Sequence, residues 1–192
     1  MPARVLDRSR AALVVVDVQE AFRPAVLDFE RVARNAGVLV QGARALGIPV
    51  VATEQYPRGL GATVPEVAEH LDGAERGHQM GAPPPFATPL EKTVFSAAAA
   101  EGFDLDGRDQ VLLCGIESHV CVSQTAHDLL GRGVEVHVAR DAVSSRSEEN
   151  RELGLHKMEG AGAVLTSVET ALFELLGEAG SEEFKTVQRL IK

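Results

Sequence analysis

The 192-residue chain has no tryptophan, one tyrosine, three methionines and two cysteines, Cys114 and Cys121. Two thiols cannot staple a fold of this size. Their spacing fits neither a C-x-x-C redox motif nor a zinc ribbon, so both are expected to be free. Positive charge is also scarce: 19 Lys and Arg face 28 Asp and Glu, for a net charge of −9. A chain so acidic, with no basic stripe, is a poor match for nucleic-acid phosphates or an anionic membrane surface, and neither partner is expected. No apolar run reaches the roughly 18 residues of a membrane span, and L-V-V-V near the start is cut short by Asp17. The expectation is a cytoplasmic protein with reduced thiols.

What is present is a globular composition, 45 % hydrophobic and 24 % charged, with short β-branched runs alternating with amphipathic stretches. A-A-L-V-V-V-D at 11–17 reads as a strand covered on both faces. Residues 27–46 carry Val32, Ala36, Leu39, Val40, Ala43 and Leu46 at helical spacing, with Gly47 to end the helix. I-P-V-V-A-T at 48–53, E-K-T-V-F at 91–95, Q-V-L-L-C-G at 110–115, V-E-V-H-V-A at 134–139 and A-V-L-T at 163–166 read as further strands. Helices are expected from Ser96, over 118–130, from about 146, and twice in the tail. Residues 55–90 are irregular, with one short helix from Pro65 to Leu71.

Strand–helix alternation predicts one domain over 1–192. Its expected fold is a three-layer α/β/α sandwich around a doubly wound, mainly parallel sheet of about six strands. Ligands of such sheets bind at the carboxyl ends of the strands. That places Asp17, the stretch from Thr53 to Pro57, Lys92 and the loop from Gly115 to Cys121 at one edge. Cys114, inside V-L-L-C-G, reads as a small core filler. Cys121 falls in the first turn of a helix, where unpaired N–H groups and the helix dipole lower a thiol pKa; a nucleophile and a packed helix cysteine are both compatible with that position. Asp17 reads either as a cap or as a general base, and Lys92 either as an exposed lysine or as a cation held beside a thiol.

D-V-Q at 17–19 with Phe22, E-K-T-V-F-S at 91–96 and G-I-E-S-H-V-C-V at 115–122 resemble the three signatures of the isochorismatase-like cysteine hydrolases. T-E-Q-Y-P-R-G-L-G-x-T-V-P-E at 53–66, D-A-V-S-S-R-S at 141–147 and the F-K-T-V-Q-R-L-I-K tail are similar to the isochorismatase domain-containing branch. The resemblance implies a Rossmann-like fold and a triad of Asp17, Lys92 and Cys121. Cys121 would be the nucleophile, Asp17 the general base and acid, and Lys92 the electrostatic support. It implies an oxyanion hole from the backbone N–H groups of Glu117 and Cys121, on a loop with a cis Ile116–Glu117 bond, and a small-molecule substrate, no cofactor and a homo-oligomer. Pocket candidates beside the triad are Gln19, Phe22, Gln55, Tyr56, Ser118 and His119.

The sequence departs from the nicotinamidases of this superfamily, whose metal-binding stretch carries an acid and histidines. Gln55 and Pro57 stand in those places, and the six histidines (70, 78, 119, 127, 137 and 156) form no ligand pair with a nearby acid, so no metal is expected. Cysteine at 121 favours amide or ester cleavage through a thioester. A vinyl-ether hydrolase of isochorismatase type, or a silent scaffold that keeps the triad, are the alternatives. Arg140, Asp141, Ser144 and Arg146 read as structural or interfacial ion pairing.

Overall fold

The computed structural model describes residues 5–71 and 88–192. Six strands form one sheet: β1 (Ala11–Val16), β2 (Val50–Gln55), β3 (Leu90–Lys92), β4 (Gln110–Ile116), β5 (Glu135–Ser144) and β6 (Val164–Thr166). Their order is β3-β2-β1-β4-β5-β6, and every pairing is parallel. The expected doubly wound sandwich is the observed fold. The winding direction reverses between β1 and β4, and in such sheets ligands bind at that reversal, where Asp17 and the Gly115–Cys121 loop emerge.

All six residues of β1 and all seven of β4 are buried, which is why both read as unbroken apolar runs rather than alternating ones. Alternate side chains feed two cores. Leu13 and Val15 enter the layer with helices α1 (Phe29–Leu46) and α6 (Val168–Leu176), while Val14 and Val16 enter the layer with α4 (Ser123–Gly131) and α5 (Glu148–Gly160). Two short helices, α2 (Pro57–Leu60) and α3 (Pro65–Leu71), follow β2, and α7 (Glu182–Leu190) closes the chain. Gly47 ends α1 at φ +66, its N–H donating to the carbonyls of Ala43 and Arg44.

Three expectations change. Ser96 does not cap a helix: Ala97–Ala99 make a single 3-10 turn, and the Ala97 N–H bonds the Thr125 hydroxyl at 2.8 Å instead of continuing a ladder. Seven residues are too few to nucleate a stable helix of their own, although Ala97 and Ala98 are buried in the core. The 91–95 strand stops at Lys92, because the Val94 and Phe95 carbonyls turn toward that lysine's ammonium group. The helix expected from Ser118 starts as a π-helical turn, Ser118–Val122, before α4. His78 lies outside the described residues.

Candidate active site

β1 delivers Asp17 one residue past its end, in the left-handed region at φ +53. Left-handed backbone is uncommon for residues with a side chain, and clusters at functional sites. The Asp17 N–H donates to the Thr53 carbonyl at 3.1 Å. Its carboxylate is fully buried and accepts two bonds: Thr53 Oγ1 donates to Oδ1 at 2.7 Å, and Lys92 Nζ donates to Oδ2 at 2.7 Å.

Lys92 arrives from the edge strand β3 and reaches across the end of β2. Its side chain is buried completely. Besides Asp17, the ammonium donates to Gln55 Oε1 at 2.7 Å and lies 3.0 and 3.3 Å from the Phe95 and Val94 carbonyls. A buried ammonium needs such a shell, since an unpaired one would carry the whole cost of desolvation. The shell also leaves Lys92 no donor for a ligand. Its charge acts on Asp17 in contact and on the Cys121 thiol across space.

Cys121 sits in the π-helical turn after β4, its thiol within electrostatic reach of Asp17, Lys92 and Glu117. It retains 6 % exposure, whereas Cys114 has none. Both are buried among core side chains, and the direction of the Cys121 pKa is not the expected one. Burial first, and then the Asp17 charge, push the thiol up to about 12, Glu117 adds to the rise, and Lys92 offsets only part of it. The lowering expected from a helix terminus is outweighed by low dielectric and two carboxylates. At neutral pH this is a neutral thiol facing a carboxylate, not a resting thiolate.

Gly115 brings the Cys121 loop against β1. It has φ +118, and a Cβ there would run into the Val16 backbone, so only glycine fits. The Ile116–Glu117 peptide is cis, as the resemblance implied. Glu117 is 7 % exposed and accepts the backbone N–H and the Nε–H of Arg146 at 3.1 and 3.0 Å. Ser118 Oγ lies 2.6 Å from Ser145 Oγ, which is 3.0 Å from His119 Nδ1. Gly154 on α5 abuts the Ser118–His119 backbone.

The remaining pocket candidates divide. Gln19 is fully buried and is a brace: its amide donates to the Gln55 and Gly61 carbonyls and accepts the Gln55 N–H. Gln55 donates to the Thr93 carbonyl and holds Lys92. Ser118, with its hydroxyl on Ser145, is likewise turned inward. All three side chains are engaged with protein partners. Phe22 is half-buried against the core, Tyr56 is exposed at φ +38, and His119 is half-buried at the loop. The sequence marks Thr53 only by its place in the stretch at the carboxyl end of β2. It reads Arg146 only as ion pairing, which its bond to Glu117 is, and does not single out Ser145. The partners of Ser145 and Arg146 follow from the β4–β5 pairing, which short-range patterning does not show.

The residues present do not fit the nicotinamidase metal. Gln55 is engaged with Lys92, Pro57 has no ligating side chain, and no three His, Cys, Asp or Glu side chains gather to hold an ion among the described residues.

The isochorismatase domain model matches residues 11–170, most of the chain. The chain belongs to the isochorismatase family. Within it, isochorismatase domain-containing protein 2 of Macaca fascicularis is 44 % identical, over 98 % of this chain and 86 % of that protein. The secreted isochorismatase effector Isc1 of Phytophthora sojae is 41 % identical, over 95 % and 84 %. Among solved structures, the MAR1 ribonuclease of Caenorhabditis elegans superposes with a TM-score of 0.84 at 40 % identity, covering 98 % of this chain and 92 % of that one. The family is one of isochorismatase-like hydrolases, and no helix among the described residues is long and apolar enough to cross a membrane.

Proposed function

We propose that this family member is a metal-independent cysteine hydrolase that cleaves a small amide, or an ester, through a thioester on Cys121. The observation that carries the reading is the buried Asp17–Lys92 pair, 2.7 Å apart, with the Cys121 thiol buried within reach of both charges. Asp17 takes the thiol proton as Sγ attacks the carbonyl carbon, so thiolate forms only when it is used. The backbone N–H groups of Glu117 and Cys121 receive the oxyanion. Collapse expels the amine, which takes the proton back from Asp17. Asp17 then deprotonates a water that attacks the thioester, releasing the acid and restoring the thiol. Lys92 balances the carboxylate throughout and Thr53 fixes its second oxygen.

The test is ammonia release from a panel of small primary amides by wild type and Cys121→Ser. Turnover that survives the substitution removes the mechanism. A silent scaffold is separated by intact mass after an electrophilic amide probe: one adduct, lost in Cys121→Ala, supports the enzyme. Vinyl-ether hydrolysis would not need Cys121, so cleavage of a vinyl-ether probe that persists in Cys121→Ser would favour that reading. The name of the nematode relative raises ribonuclease activity. A net charge of −9 opposes it, and degradation of a labelled RNA by wild type would restore it. In this reading the protein is a homo-oligomer of the cytoplasm, where both thiols stay reduced; sedimentation at micromolar concentration checks the assembly.

A further inference from the structure

Glu117 poses an electrostatic problem for chemistry at Cys121. Its N–H is one of the two proposed oxyanion donors, yet its side chain is an almost buried carboxylate whose charge reaches the Cys121 sulfur. A fixed negative charge there opposes both the thiolate and the oxyanion. Arg146 meets that charge with two bonds to one oxygen, from its backbone N–H and from Nε. The residue before it ties down the next two positions of the loop, since Ser145 Oγ contacts both Ser118 Oγ and His119 Nδ1. The Ser145 carbonyl is itself anchored by the Leu27 N–H at 3.0 Å. Three successive residues of the oxyanion loop are thus held by two successive residues between β5 and α5.

We infer that Arg146 is a positioning residue of the site: it neutralises Glu117 and holds the oxyanion loop, so that negative charge can develop at Cys121. This rests on the cysteine-hydrolase reading. A plain surface ion pair is the competing account, because the Arg146 side chain is 60 % exposed. Either account allows some loss of stability in Arg146→Met, because the Glu117 side chain is only 8 % exposed. The two accounts therefore part on reactivity, not on melting.

The experiment uses the full chain with Arg146→Met, Glu117→Gln and the double variant. Alkylation of Cys121 by iodoacetamide at pH 8.5 is followed by intact mass, with Cys121→Ala as the blank. kcat and KM are measured on an amide found by the panel. Arg146→Met should alkylate about five-fold more slowly than wild type, since it leaves Glu117 uncompensated, and Glu117→Gln about as much faster. The double variant, with no charge at either position, should return to within about two-fold of wild type. kcat should follow the same order while KM stays nearly constant. Wild-type rates in Arg146→Met, or a double variant as slow as Arg146→Met, overturn the inference. Should Arg146→Met not fold, Glu117→Gln alone decides: no gain in alkylation rate overturns it. Alkylation needs no substrate, so its outcome is independent of whether Cys121→Ser abolishes turnover.

Discussion

A thiol held neutral beside a carboxylate reacts differently from a cysteine ionised at rest. With the Cys121 pKa pushed up to about 12, its alkylation rate should climb steadily from pH 7 to 10 without the plateau of a low-pKa cysteine. Asp17→Asn removes a negative charge that raises this pKa. It should therefore speed alkylation at pH 8 by about ten-fold for each unit the pKa falls, while turnover drops by at least about 100-fold for want of a base. Reactivity and catalysis moving in opposite directions is the signature; a parallel loss would mean that Asp17 is structural. Lys92→Met leaves Asp17 buried without its counter-ion, and removing one partner of a buried pair costs about 3–5 kcal/mol. Urea unfolding measures that loss, and a change under about 1 kcal/mol would show that the pair is compensated from elsewhere. At this scale the sequence marked Asp17, Lys92 and Cys121 through a resemblance, and gave position alone for Thr53. It could not show that Gln19 and Gln55 are braces, because which backbone groups an amide meets depends on where β2 and β3 end.

Elements whose apolar pattern reflects two-sided burial were legible almost to the residue. β1 and β4 appear as V-V-V and V-L-L-C because parallel neighbours and helices cover both faces. Elements shaped by polar demands were not. β3 is cut at Lys92 to supply carbonyls to an ammonium group, and β5 runs on through Arg140 and Asp141 to Ser144, past a register irregularity opposite Leu113 and Gly115. Nothing in local hydrophobicity encodes either. The joint between β1 and β4 yields the test for this scale. Gly115→Ala places a Cβ against the Val16 backbone at a φ that side chains avoid, so a loss of about 2–4 kcal/mol is expected, with Cys121 alkylation altered because the loop must shift. Gly47→Ala, strained in φ but with nothing near its Cβ, should cost about 1 kcal/mol and leave the thiol unchanged. Equal effects at both glycines would remove the claim that Gly115 sets the approach of the loop.

Across the whole molecule, the ion pairs at the site cancel: Lys92 with Asp17 and Arg146 with Glu117. What surrounds them does not cancel, since the chain carries a net charge of −9. A crevice whose own charges are balanced but whose envelope is acidic repels anions at long range while leaving neutral molecules untouched. For two amides of the same size, one bearing a remote carboxylate and one a neutral group in its place, kcat/KM should favour the neutral one by about three- to ten-fold at low salt. The preference should shrink as the screening length falls from about 30 Å at 0.01 M to about 3 Å at 1 M, and it should lie in kcat/KM rather than in kcat, because steering acts on encounter. Steady-state rates for the pair across a salt series measure it. A preference that persists unchanged at high salt would place discrimination in direct contact with Glu117 or the loop around it, and the acidic envelope would then have no part in choosing the substrate.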